Sequence, residues 1–251
     1  YSRSLKLLKF SAIALFLGLL LQWLWVERRM LAASQPFAAK ALEAGAAYAI
    51  IDEPEFAVND KMILVNNVLQ ALQQLALHHR RQFSIPFIAI TGSNGKTTTK
   101  ELIHAVLSTT YRTYTTEGNL NNHIGIPLTL LKVGSDAEMA VVEMGANHQK
   151  EIESYCQYTE PTHGLITNLG KAHLEGFGSE EGVKKGKGEL YDYLKINKGA
   201  VFVMKDYDYL NTMSSGIENI ITYGNTHGEL QGQPQTNNGL LQVLFTKGTL
   251  I

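Results

Sequence analysis

The stretch Pro86-Phe-Ile-Ala-Ile-Thr-Gly-Ser-Asn-Gly-Lys-Thr-Thr-Thr-Lys100 narrows the fold more than any other part of the chain. Phe87 to Ile90 is a short apolar run bounded by a proline and a glycine, the pattern of a buried strand. It stops at a turn containing Gly92 and Gly95 and restarts at Lys96 as a helix, with Leu102, Ile103, Val106 and Leu107 spaced for one helical face. The glycines let the backbone bend with its amide hydrogens turned inward, and the positive end of the helix dipole faces the bend. Strand, glycine bend, lysine and helix start make a cradle for phosphate.

Strands and helices alternate after this unit. Ala137 to Val142, Gly164 to Thr167, Ala200 to Met204 and Asn219 to Tyr223 read as strands, and helical patterns lie near Lys150 to Tyr155 and Val183 to Leu194. The expected fold class is therefore α/β: a mostly parallel sheet wrapped by helices, with a phosphate loop (P-loop) and ligands beyond the carboxyl ends of the strands. Leu230 to Phe245, with Asn237-Asn238-Gly239 in its middle, predicts an antiparallel hairpin at the sheet edge. Upstream, Lys61 to Val65 predicts a strand, and Val68 to Gln82 an amphipathic helix turning Leu69, Leu72, Leu75 and Ala76 toward a core. His78, His79, Arg80 and Arg81 at its end read as a solvated cap that complements the helix dipole.

Composition removes some classes. The 22 basic and 23 acidic residues give no field for a polyanion, so nucleic acid is not an expected partner and any anion must be caught locally. The single Cys156 can form no internal disulfide, which fits a reducing cytoplasm, and it reads as a small buried residue rather than a nucleophile. Phe10 to Val26 is nearly unbroken apolar sequence, flanked by Arg3, Lys6 and Lys9 and by Glu27, Arg28 and Arg29. It is at the short end of a membrane span. Residues 1–36 are expected to be an apolar helical segment, and three readings stay open: a membrane anchor, a buried core helix, and a segment foreign to the protein. Membrane contact is expected only through residues 10–26.

Glu143 ends the apolar run Ala140-Val-Val-Glu-Met-Gly145, where its carboxylate projects toward the glycine bend. With the Thr97 hydroxyl it could hold magnesium, which prefers oxygen ligands; capping the following turn is the alternative.

The general phosphate-loop pattern wants glycine six residues before the lysine, and Ile90 stands there. Instead Thr91-Gly-Ser-Asn-Gly-Lys-Thr-Thr98 resembles the variant used by the ATP-dependent Mur ligases of peptidoglycan synthesis, and further family-like segments follow in family order. The resemblance implies that Thr91, Gly92, Ser93, Asn94, Gly95, Lys96, Thr97 and Thr98 grip ATP. Asn168-Leu-Gly-Lys-Ala-His-Leu-Glu-Gly-Phe-Gly178 is similar to the family segment whose histidine assists a second magnesium ion, a role that falls on His173. Gly182-Val-Lys-Lys-Gly-Lys-Gly-Glu-Leu190 matches the stretch with a lysine that becomes carbamylated and so an anionic metal ligand, here Lys187; a solvated lysine run is the plainer reading. Gly118-Asn-Leu-Asn-Asn-His-Ile-Gly-Ile-Pro127 closely resembles the asparagine-rich segment of the family's D-alanyl-D-alanine-adding branch, which makes Asn119, Asn121 and Asn122 candidates for substrate contact or for turn formation.

Phe37 to Ile51 resembles a helix-and-strand unit of the family's amino-terminal domain, whereas Ser4 to Pro36 departs from the stretch that helps hold the uridine nucleotide. The implied organisation is a partial substrate domain over 37–84 and an incomplete central ATP-binding domain over 85–251, without the family's last domain, so that the chain alone binds nucleotide with little turnover. The implied activity is addition of D-alanyl-D-alanine to the UDP-linked muramoyl tripeptide through an acyl phosphate, with ATP and Mg2+, by a cytoplasmic monomer. Two alternatives remain: another Mur-type or folylpolyglutamate-type ligase, and a non-catalytic ATP-binding fragment tethered at the cytoplasmic face of a membrane.

Overall fold

The computed structural model describes residues 12–15, 37–170, 174–237 and 240–247. The chain opens with β1 (Ala12–Leu15), α1 (Phe37–Glu43), β2 (Tyr48–Ile51), β3 (Met62–Leu64) and α2 (Val68–Arg80). β1 pairs antiparallel and β3 parallel with β2, and Ala38, Ala49, Ile51 and Met62 form a small core beneath α1. The expectation of an apolar helical segment over residues 1–36 is corrected where it can be compared: Ala12–Leu15 is a strand, held by pairing with β2. The rest of residues 1–36 lies outside the described residues. No helix among the described residues is long and apolar enough to cross a membrane.

The main sheet follows. Its elements are β4 (Phe87–Thr91), α3 (Lys96–Leu107), β5 (Thr113–Thr115), α4 (Gly125–Leu131), β6 (Met139–Glu143), α5 (Glu151–Thr159), β7 (His163–Ile166), α6 (Leu174–Phe177) and α7 (Glu180–Ile196). They continue with β8 (Ala200–Met204), α8 (Asp208–Met213), β9 (Asn219–Gly224), β10 (Leu230–Asn237) and β11 (Leu240–Lys247). The strand order is β11-β10-β9-β8-β7-β4-β6-β5, parallel except for the β10–β11 pair. The predicted edge hairpin is thus present, with residues 238–239 outside the described residues.

β4 lies between β6 and β7, so the chain leaves it in one direction and later returns on its other side. That reversal opens a crevice at the carboxyl end of β4. All five residues of β4 are buried: Phe87 and Ala89 join the larger core under α2, α4, α5 and α7, while Ile88 and Ile90 pack with Val141, Leu165, Ile103 and Leu107 beneath α3. A strand covered on both faces needs the unbroken apolar run the sequence shows.

Three local expectations are corrected. On α3, Ile103 and Leu107 face the sheet but Leu102 and Val106 are exposed, because fully buried Lys100 takes the inward position and donates from Nζ to the Thr116 carbonyl at 2.5 Å. On α2 the buried stripe is Val68, Leu72, Ala76 and Arg80, the i, i+4 row, with Leu69 and Leu75 only half-buried. Arg80 is therefore no solvated cap. The carbonyls at the end of α5 lack intrahelical donors, and the Arg80 guanidinium reaches Thr159 O at 2.7 Å and Glu160 O at 2.8 Å while lying 3.8 Å over the Phe87 ring. His79 bonds Val133 O at 2.9 Å; His78 and Arg81 stay exposed, as read from the sequence.

Candidate functional site

At the end of β4, Thr91 donates from Oγ1 to Met144 O at 2.9 Å, which ties the strand end to the end of β6. Gly92 follows with φ +142°, and a Cβ there would stand 2.0 Å from Thr167 Oγ1; only glycine fits. Gly95, at φ +76°, sets the start of α3. The first-turn amides of α3 have no intrahelical acceptor and carry the positive end of the dipole. Thr97 and Thr98 on that turn are exposed.

The bend departs from the sequence reading in one respect: not all its amides point into the cradle. Ser93 N donates to Asn168 O at 2.9 Å and Asn94 N to Asn168 Oδ1 at 3.1 Å, so both are turned toward the segment after β7. Lys96 folds back over the bend, donating to Gly92 O at 2.9 Å and Ser93 O at 3.3 Å. Burial pushes the Lys96 ammonium below its usual range, and the Glu143 carboxylate pulls the other way.

Glu143 ends β6 in register with Ile90 and is 1% exposed. Its Oε1 accepts from Asn121 Nδ2 at 2.7 Å, and its backbone N–H donates to Thr116 Oγ1 at 3.0 Å. Oε2 is buried without a hydrogen-bond partner. An orphaned buried carboxylate oxygen is costly, and here it is balanced by the nearby Lys96 charge and is suited to a hard cation.

Of the three asparagines, Asn121 is thus engaged with Glu143. Asn122 Oδ1 accepts from Ile124 N and Gly125 N at the start of α4, a buried helix, so the turn-forming reading holds for this residue. Asn119 is exposed.

Lys187 on α7 is 2% exposed and donates to Ala146 O at 2.9 Å, with its Nζ 5.1 Å from the Phe177 ring centroid. Burial first and the Lys96 charge second bring its pKa down to about 8, against the pull of Glu151 and Glu189. The solvated-run reading of this lysine does not hold, because the run lies on a helix whose other face is the core. Two residues of the same helix turn hold the loop after β6: Glu189 accepts from Lys150 N at 2.6 Å while Lys187 donates to Ala146 O. His173 lies outside the described residues. Cys156 is fully buried and its thiol is pushed up by that burial, which keeps it protonated.

A cleft of about 910 Å³ lined by Thr162, His163, Tyr193, Lys198 and Asn219 opens at the amino ends of β7, β8 and β9, the end of the sheet opposite the bend. The crevice at the carboxyl ends is where lysine, unpaired carboxylate and free helix amides meet, and it is the chemically equipped site. Sequence reasoning missed Thr116, Thr167 and Asn168, which shape it; Asn168 lay within the segment singled out for His173.

The comparisons with known proteins agree with this geometry. The model of the Mur ligase middle domain matches residues 90–245. The UDP-N-acetylmuramoyl-tripeptide--D-alanyl-D-alanine ligase of Bacillus subtilis is 40% identical over 200 residues, covering 78% of this chain and 43% of the relative. Crystal structure I of MurF from Acinetobacter baumannii superposes with a TM-score of 0.74 at 31% identity, over 84% of this chain and 47% of that one. MurF ligase from Thermotoga maritima in complex with ADP gives 0.74 at 27% identity, over 85% and 52%. The chain spans about half the length of these proteins. By matched sequence, sheet order and phosphate bend together, the chain belongs to the Mur ligase family, whose middle domain it contains.

Proposed function

We propose that this chain is the nucleotide-binding part of an ATP-dependent ligase that adds D-alanyl-D-alanine to UDP-N-acetylmuramoyl-tripeptide in peptidoglycan synthesis. The observation that carries the reading is the meeting of Lys96, the first turn of α3 and the orphaned Glu143 Oε2 at one crevice. The relatives' names and the ADP complex of the Thermotoga protein support the same substrates and nucleotide. The asparagine-rich segment favours the D-alanyl-D-alanine branch over a folylpolyglutamate-type ligase.

A carboxylate does not condense with an amine at neutral pH, because oxide is too poor a leaving group. Attack of the substrate carboxylate on the terminal phosphorus of ATP releases ADP and gives an acyl phosphate; attack of the amine on that acyl carbon then releases phosphate and a proton. The protein must align the reactants and neutralise charge rather than supply a nucleophile. Lys96 would leave the bend carbonyls to follow the terminal phosphates, and the Thr91–Thr98 turn with the α3 amides would hold them. Glu143 Oε2 and Thr97 would hold magnesium, which when bound draws charge from the phosphate oxygens. By resemblance His173 would assist a second magnesium ion. Lys187 is proposed to carry the carbamate: a neutral amine is needed to attack carbon dioxide, forming the N–C bond and losing a proton, and a pKa of about 8 keeps part of it neutral. Asn121 orients Glu143, and the exposed Asn119 and Asn122 remain the candidates for substrate contact. In this reading the protein works in the cytoplasm as a monomer.

The test is titration of the chain with ATP in the presence and absence of Mg2+. Wild type is expected to bind, Lys96→Ala to lose most affinity, and Glu143→Gln to lose the enhancement by Mg2+. Unchanged affinity in Lys96→Ala would sink the proposal.

A further inference from the structure

The β4–β7 ladder runs from Ile88 opposite His163 to Thr91 opposite Ile166, and it does not stop where the strands do. Thr167 N donates to Thr91 O and Ser93 N to Asn168 O, each at 2.9 Å. At Asn94 the backbone partner runs out, and the Asn168 side chain replaces it: Oδ1 accepts from Asn94 N at 3.1 Å, and Nδ2 donates to Asn94 O at 3.0 Å. A carboxamide carries the donor and acceptor of a peptide group, so Asn168 supplies one further rung. Thr167 Oγ1 also donates to Asn94 O at 2.7 Å, and Gly170 N donates to Ser93 Oγ at 2.9 Å.

The next residue is Gly95, in the left-handed region, and α3 begins immediately after it. The orientation of the Asn94 peptide therefore fixes how the first turn of α3 is aimed relative to β4. We infer that Asn168 is a positioning residue for the phosphate bend: it holds the 93–94 peptide against the end of β7, so that the anion is received by the first-turn amides of α3 and not by those of Ser93 and Asn94. Asn168 touches no phosphate in this arrangement. Its contribution is to order the bend before the ligand arrives, which removes that ordering cost from binding. The inference rests on the phosphate-binding reading proposed above.

The experiment measures affinity for a ribose-labelled fluorescent ATP analogue with Mg2+ in wild type, Lys96→Ala, Asn168→Ala and Asn168→Asp, well below each variant's melting temperature. Hydrogen exchange of the 92–95 amides is followed in the same samples. Asn168→Asp keeps the acceptor for Asn94 N and sets an oxygen against Asn94 O in place of the donor. The expected result is a Kd raised about tenfold in both Asn168 variants, equivalent to about 1.4 kcal/mol, with faster exchange at Ser93 and Asn94. A purely structural role would lower Tm and leave the Kd of the folded chain unchanged. Wild-type Kd in both Asn168 variants, with affinity lost in Lys96→Ala, overturns the inference while the phosphate reading stands. Wild-type binding in Lys96→Ala removes that reading and the inference with it. If Asn168→Ala does not fold, Asn168→Asp carries the measurement, and failure of both to fold assigns Asn168 to the fold and overturns the inference as well.

Discussion

Lys187 gives the chain a pH dependence that can be worked out in advance. Its amine has a pKa of about 8 in the folded chain, lowered by burial and by Lys96, against 10.5 for the free group. Between those values the unfolded chain holds more protons than the folded one, so stability must rise with pH through that window. The penalty for burying the ammonium is fully present below the folded value and fades above it. Inserting about 8 and about 10.5 into the linkage relation gives a gain on the order of 1.4 kcal/mol between pH 7 and pH 9. Urea unfolding at both pH values, in buffer stripped of carbon dioxide, would compare wild type with Lys187→Met. The variant loses the bond to Ala146 O at both pH values, so that loss cancels in the difference. Wild type is expected to gain about 1.4 kcal/mol relative to Lys187→Met, and labelled bicarbonate at pH 9 to give a carbamate carbon signal only in wild type. Parallel pH profiles for the two proteins would refute the argument.

Two further outcomes follow from local geometry. Gly92→Ala combines a forbidden φ with a Cβ placed 2.0 Å from Thr167 Oγ1, so a fall of about 1–3 kcal/mol from the backbone alone is expected; thermal melts test it, with Thr167→Ala expected to restore part of the loss and identical melts counting against it. The Asp206 carboxylate accepts from the Asn225 amide first, then from Thr226 and His227, which holds its pKa well below the usual range. Stability from this group is present above the unfolded value and lost as pH falls toward the folded one; acid titration should show wild type shedding stability that Asp206→Asn never had, and superimposable acid limbs would contradict this.

The sheet was legible because its strands are short apolar runs closed by glycine, proline or polar residues, and β4, β8 and β9 fall nearly where those runs do. The bend was legible from its glycines and lysine. α4 was hidden by Gly125 and Pro127, residues that suggest a loop but sit here in a helix's first turn, where a missing amide hydrogen costs nothing. Half of the α3 stripe was misread because a lysine fully buried against a backbone carbonyl does not enter an apolar count. Arg80 misled for a similar reason, since its partners are carbonyls at the end of another helix. Side-chain contacts between distant segments leave no periodicity, so Asn168 beside Asn94 had no signal a sequence could carry.

Those two asparagines are separated by 74 positions in the chain. A ribosome adding about 5–20 residues per second delivers Asn94 roughly 4–15 s before its partner emerges. For that interval the nascent chain holds the whole glycine-lysine motif with its last rung unmade. Full affinity for a nucleotide therefore arrives only when the seventh strand docks, and an arrested chain released before Asn168 emerges should bind ATP more weakly than the finished sheet.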